Sequence, residues 1–459
     1  MSNSKELGTE PIPKVLAKMA IPASVGFLIM NIYFIVDTIF VGRWVGPLGI
    51  AAITVVMPIS FLVSSIGMAI GVGGASVISR ALGADDENHA CRTFGNMVSL
   101  TVILVFLLMI LGFVFEHSIL EAFGAKGDIF PYAETYFEII LMGTPFLAWA
   151  MMSNNVMRAE GEPNMAMLVM MIPAVVNLIL DPIFIVWFEW GIAGAAWATA
   201  ISYVMSAFFS LWFFTSGRSE LKIFWSSLKL KLSLIKEISS IGSVTLARQG
   251  TISLLSIVLN QSLFTYGGEI AVAAFGIVNR TVMFANFPVL GITQGFLPIA
   301  GYNYGAGDYK RVKSIIWTAV RAGTAIAGSL FVMVLLFPEP ITRLFTTEAG
   351  LVDLASHALI LIFLATPLLT LQLIGSAYFQ AIGKALPALL LTLTKQGFFL
   401  IPLVLILPIF FELDGIWYAF PAADILAAAV TYWYLNREIK KNIDPYLETK
   451  PEEEELVTN

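Results

Sequence analysis

Two carboxylates stand where so apolar a chain has little reason to put them. In "VVNLILDPIFIVW", residues 175–187, Asp181 lies among large aliphatic residues with Pro182 directly behind it; in "NIYFIVDTIFVG", Asp37 is flanked in the same way. An acid at mid-bilayer depth costs roughly 2.5–3.5 kcal/mol on insertion scales, so it is retained where it faces a cavity or a partner. The chemistry open to such a group is to load and release a proton, or to hold a cation that offsets its charge. Asn177 precedes Asp181 by one helical turn, which puts its amide on the same face. Pro182 has no N–H to give the carbonyl of Leu178. Carboxylate, amide oxygen and freed carbonyl together make an oxygen-rich nest for a cation or a proton. One turn before Asp37 stands Tyr33, and Pro22 lies nearer the amino-terminal end of the same run, where it permits a bend. Tyr136, Asn154 and Thr199, on three further segments, are candidates to complete a hydrogen-bonded network with the acids.

The elements that carry these residues follow from composition. Of 459 residues, 58% are hydrophobic and 13% charged, against about a quarter charged in soluble proteins. Continuous apolar runs recur, each long enough to cross a bilayer as a helix. About twelve are present, near residues 15–41, 47–78, 93–115, 131–153, 164–188, 192–215, 237–266, 270–299, 314–337, 354–380, 385–410 and 415–436. Because the runs are continuous instead of alternating, helices are expected and a barrel is not. The expected fold is an all-α polytopic membrane protein with no cleaved signal peptide. Most of the 26 Lys and Arg fall on segments that share one side, with Arg43, Lys126 and Arg343 on the other. That bias puts both termini in the cytoplasm, in a cytoplasmic (inner) membrane.

The second half repeats the first at a constant offset of 222 residues: Thr144-Pro145 recurs as Thr366-Pro367, Gly161 as Gly383, Gly83 as Gly305, and Ala51-Ala52 as Ala273-Ala274. Six crossings per copy is an even number, so both copies enter the membrane in the same sense, as parallel repeats. The expected organisation is an amino-terminal lobe over 1–215, a basic cytoplasmic linker over 216–236, a carboxy-terminal lobe over 237–436 and an acidic tail over 437–459. Two six-helix lobes around a central cavity is the plan of a rocking transporter. The same offset carries Asp37 to Leu259, Asn177 to Phe399 and Asp181 to Leu403, while Arg280 maps to Pro58 and Lys395 to Pro173. The deep acids thus belong to the first lobe and the deep cations to the second. Met30 and Tyr33 in the first lobe, and Arg248, Gln249, Arg280 and Lys395 in the second, are candidate cavity residues; pairing of Asp424 with one of these cations is an equal alternative.

Other chemistry is disfavoured. Cys91 is the single cysteine, so no internal disulfide or thiolate metal site forms, and His89, His117 and His357 fall near run ends. No His-Glu-x-x-His, Gly-x-Ser-x-Gly or Gly-x₄-Gly-Lys-Ser/Thr motif occurs, which argues against an enzyme or an ATP-driven pump. Nothing points to nucleic acid as a partner or to an organic cofactor.

The stretches "VDTIFVGRWVGPLGIAAITVVMPI", "GVGGASVISRALGADD" and "MRAEGEPNMAMLVMMIPAVVNLILDPIF" resemble, in this order and across nearly the whole chain, the multidrug and toxic compound extrusion (MATE) family. The likeness is greatest to the prokaryotic branch containing the DinF and MepA-like pumps. The resemblance implies a cation-coupled antiporter that exports amphipathic, cationic drugs or dyes by alternating access, acting as a monomer. It implies coupling at Asp37, Asn177, Asp181 and Thr199, with Tyr136 and Asn154 at further family positions and Pro22 at the bending proline. Either H⁺ or Na⁺ suits that set, with Asp37, Asn177, Asp181 and Thr199 as the Na⁺ ligands. The acids that the NorM branch carries on its seventh and tenth helices are missing, since the seventh reads "LARQG". A lipid-linked oligosaccharide flippase of the same superfamily is the alternative, and would want a cationic cavity in both lobes.

Overall fold

The computed structural model describes residues 3–222 and 224–448. All regular structure among them is helical. We label the long helices α1 (Ile12–Trp44), α2 (Pro47–Gly83), α3 (Glu87–Val114), α4 (Ile129–Ala159), α5 (Pro163–Asp181), α6 (Gly191–Thr215), α7 (Leu232–Gly305), α8 (Tyr309–Leu336), α9 (Ala349–Phe363), α10 (Thr366–Ala381), α11 (Ala385–Leu393) and α12 (Pro408–Asn442). Ten spans are long and apolar enough to cross a bilayer, and α9 with α10, bent by 48°, makes one more. The 74-residue α7 is broken at Gly268, where φ is +64°, and so supplies two crossings. Twelve crossings result. The last eleven residues, 449–459, which carry most of the acidic tail, lie outside the described residues.

The chain forms two compact units. One comprises Met1–Glu6 and Val25–Thr245, the other Leu7–Ser24 and Leu246–Asn459. The amino-terminal part of α1, up to Ser24, therefore packs in the second unit, and the first fourteen residues of α7 in the first.

Sequence duplication reappears as duplicated geometry. Asp86 accepts the backbone N–H of His89 at 2.9 Å to cap α3, and Asp308 accepts that of Arg311 at 2.9 Å to cap α8. Such a cap satisfies one of the four N–H groups that a helix start leaves open. Gly161 and Gly383, each at φ +80°, end α4 and α10 in the left-handed conformation that only glycine adopts freely. Asn154 Nδ2 donates to the carbonyl of Ala166 at 2.5 Å, and Ser376 Oγ to that of Ala388 at 3.2 Å, which locks the fourth crossing to the fifth and the tenth to the eleventh. Each of these pairs is separated by 222 residues.

Within the first unit, α2 lies against α4 through small residues. A Cβ on Gly67 would stand 2.6 Å from the carbonyl oxygen of Ala148, and one on Gly71 would stand 3.0 Å from the Cα of Met152. Glycine one turn apart is what lets two helix backbones approach where lipid gives no hydrophobic drive to association. This close pair fixes the wall from which Tyr136 and Asn154 project.

The segment joining the halves is bound to the first unit. Asn96 on α3 donates to the carbonyls of Ser227 and Lys229 and accepts the N–H of Lys231 at 2.7 Å. Ser99 donates to the carbonyl of Leu228 at 2.8 Å. Just beyond α4, Glu160 is buried and its Oε1 accepts from Ser219 Oγ at 2.6 Å and from the N–H of Leu221 at 2.9 Å. Burial pushes the Glu160 carboxyl from 4.5 up to about 8, the two hydrogen bonds pulling the other way. Folding thus takes up a proton between pH 4.5 and about 8, so the stability held by this group is complete below that window and falls as pH rises through it, by about 1.4 kcal/mol per pH unit. Glu160→Gln keeps the acceptor oxygen and removes the titration. Its thermal midpoint in detergent should match the parent near pH 5 and exceed it increasingly toward pH 8; parallel midpoint-against-pH curves would contradict the assignment.

Candidate functional site

The first unit gathers its polar side chains at one place. Asp37 comes from the carboxy-terminal part of α1, Asn177 and Asp181 from the end of α5, Tyr136 from α4, and Thr199 with Tyr203 from α6. Asp181 and Asn177 are fully buried, and Asp37 is 6% exposed. The α-helical turn of α5 gives way at Pro182 to a π-helical one over Pro182–Trp187, the irregularity that a proline without an N–H imposes on the ladder. Such π-turns concentrate at functional positions.

The carboxyls of Asp37 and Asp181 lie close enough for each to feel the other's charge. Two neighbouring carboxylates in a buried site disfavour both carrying charge unless a proton or a cation offsets it. Around them Asn177 Nδ2 donates to Thr199 Oγ1 at 3.1 Å, and Tyr33 and Tyr136 line the same cavity wall as Thr199. One oxygen of Asp37, both of Asp181 and the amide oxygen of Asn177 have no hydrogen-bond partner despite burial. Buried acceptors in native proteins are nearly always satisfied. Four such oxygens on three neighbouring buried side chains describe a receptor for a proton or small cation. No group of three or more His, Cys, Asp or Glu side chains placed to hold a metal ion occurs among the described residues, so any metal held here would rest on two carboxylates plus neutral oxygens.

Beside this nest lies a cavity of about 890 Å³, part of it open to the outside, that shares Asp37, Tyr33, Tyr136, Thr199 and Tyr203 with the network. The rest of its wall is apolar, with Met30, Met57, Met151, Met170, Phe34 and Phe61 prominent, and no Lys or Arg lines it. Thioether and aromatic side chains make a wall that repacks around bulky guests of different shape. Asp37 is therefore shared: one face belongs to the acid pair and the other to the cavity.

A profile of the family described as MatE matches residues 22–183 and 246–406, one stretch in each half. The chain belongs to the MatE family. Among curated relatives, the multidrug export protein MepA of Staphylococcus haemolyticus (strain JCSC1435) is 28% identical, covering 92% of this chain and 94% of its own. Its counterpart in Staphylococcus aureus (strain MRSA252) is 26% identical over 93% and 95%. A crystal structure of MATE in the bent conformation superposes with a TM-score of 0.91 at 26% identity, covering 98% of this chain and 99% of that one. These relatives are transporters and not enzymes, and the MatE fold of twelve crossings in two lobes is the fold of this chain.

Against the residues singled out in the sequence, the structure brings together Asp37, Asp181, Asn177, Thr199, Tyr136 and Tyr33, and sets Met30 in the cavity wall. Asn154 stands apart, its amide spent on the Ala166 carbonyl. Pro22 sits inside an α1 that runs on unbroken through it, two residues before the helix passes from one unit to the other between Ser24 and Val25. Arg248, Gln249, Arg280 and Lys395 belong to the second unit, where Lys395 Nζ lies 2.5 Å from Asp424 Oδ1. Tyr203 is the member that sequence reasoning missed. It follows Thr199 by one turn of α6, so the spacing that ties Asn177 to Asp181 could have found it.

Proposed function

We propose that this protein is a cation-coupled multidrug exporter of the cytoplasmic membrane, monomeric and with both termini inside, that moves amphipathic cations outward by alternating access. The observation that carries the reading is the sharing of Asp37 between the acid pair with Asp181 and an apolar cavity without basic residues. A cationic guest in the cavity and a proton on the pair compete for the same negative charge. When the pair is loaded from outside, Asp37 is neutral and the guest loses its counter-charge; when the pair is empty, a guest from inside is held. Occupancies that exclude one another convert an inward ion flow into outward drug flow. The closeness of the two buried carboxyls favours a proton as the shared species. Sodium is the second reading, favoured by the unpaired oxygens of Asn177 and Asp181. The cavity's lack of Lys and Arg speaks against a carrier of pyrophosphate-linked lipids.

Proteoliposomes holding a lipophilic cationic dye test this directly. Imposed separately, a proton or a sodium gradient should drive dye against its own gradient, and an ionophore for that ion should abolish the movement. Dye movement indifferent to both gradients would remove the proposal.

A further inference from the structure

We propose that the segment joining the two halves is a docking surface for anionic phospholipid of the cytoplasmic leaflet. Its depth is set by what binds it. The last charge on α3 before its apolar run is Arg92, and Asn96 and Ser99 stand four and seven residues further on. At 1.5 Å per residue the backbone of 227–231, bonded to these two side chains, lies level with the first roughly 6–10 Å of the uncharged helix. That level is the boundary between headgroups and acyl chains.

What the segment shows at this depth is apolar and basic by turns. Trp225 is 90% exposed and Leu232 81%, with Phe224 and Leu230 also turned outward. Their own unit leaves these side chains uncovered. Among and beside them stand Lys222, Lys229, Lys231 and Lys236, all exposed and none in an ion pair among the described residues. Two acids beside the segment are already engaged: Glu220 accepts from Ser4 at 2.6 Å, and Glu237 pairs with Arg80 at 3.0 Å. Aromatic and leucine side chains at the interface supply insertion energy, and lysines among them select negative headgroups, each changing partition by about fivefold. The hydrogen bonds to Asn96 and Ser99 hold the backbone in advance, so little ordering remains to oppose binding. The inference rests on the orientation proposed above only for which leaflet is met. Lipid selectivity itself is independent of transport.

A fluorophore on Ser226→Cys, in full-length protein carrying Cys91→Ser, reports on the site; serine preserves the acceptor that Cys91 offers the N–H of Lys222. Reconstituted in phosphatidylcholine vesicles, it should be quenched several-fold more strongly by brominated phosphatidylglycerol than by brominated phosphatidylcholine at equal mole fraction. Replacing the four lysines by glutamine should bring that ratio to one while quenching persists and the protein stays monodisperse. Equal quenching by both lipids in the starting protein overturns the proposal, as does the absence of quenching by either. A preference that appears only after residues 449–459 are removed also overturns it, because the acidic tail would then be the true occupant.

Discussion

Asp181→Asn protein should carry cationic dye down its own gradient yet fail to accumulate it against one, with ion-driven accumulation lowered about 100-fold. Asp181 lies beside the cavity without lining it, whereas Asp37 does both. The two substitutions should therefore separate. Asp37→Asn removes the counter-charge of the guest and weakens equilibrium dye binding; Asp181→Asn leaves that binding near the parental value and removes the partner with which Asp37 shares its load. The amide introduced by Asp181→Asn would also donate to Asp37, so no loss of thermal stability is expected. Dye binding by fluorescence polarisation, set against gradient-driven uptake in the same vesicles, measures both quantities. Wild-type accumulation by Asp181→Asn protein would end the coupling assignment, and equal loss of binding in the two variants would end the division of labour between them.

A second large effect belongs to the helix contact that supports the site. Gly67→Leu should leave almost no folded protein in the membrane, and Gly67→Ala should cost about 1–3 kcal/mol, because the added carbon meets the Ala148 backbone at 2.6–2.8 Å and neither helix can step aside. Gly250→Ala and Gly276→Ala, at positions where an added carbon meets nothing within 4 Å, should be neutral or gain up to about 1 kcal/mol from helix propensity. The readout is the fraction of protein surviving a heating series as a monodisperse species. If Gly67→Ala behaved like Gly250→Ala, the α2–α4 approach would be wider than described.

How much of this was legible in the sequence depends on what each residue is paired with. Asp37 and Asp181 declare themselves, since an acid in an uncharged run has few explanations, and helical spacing adds Tyr33 and Asn177. The duplicated caps at Asp86 and Asp308 and the glycines at 161 and 383 are legible because each is a local requirement of the backbone. What spacing cannot show is which partner a polar group takes across helices. Asn154 looked equivalent to Thr199, yet its amide serves the Ala166 carbonyl while Thr199 accepts from the Asn177 amide and lines the cavity. Asp424 had several cations to choose from, and only the three-dimensional arrangement assigns it Lys395. The basic segment after residue 216 read as a plain connector because the side chains that fix it, Asn96, Ser99 and Glu160, lie far away in the chain.

The exchange of helix portions between units has a consequence for biosynthesis. A nascent chain that has emerged only as far as residue 231 lacks the stretch 232–245 that backs Gly73 through the Ile238 carbonyl, and it carries the stretch 7–24 whose neighbours Gly291 and Gly295 have yet to be translated. Neither half of the gene product holds all of its own scaffold. The ancestral duplication therefore no longer yields two self-sufficient pieces, and severing the polypeptide near residue 225 should give fragments that mature only when both are made together.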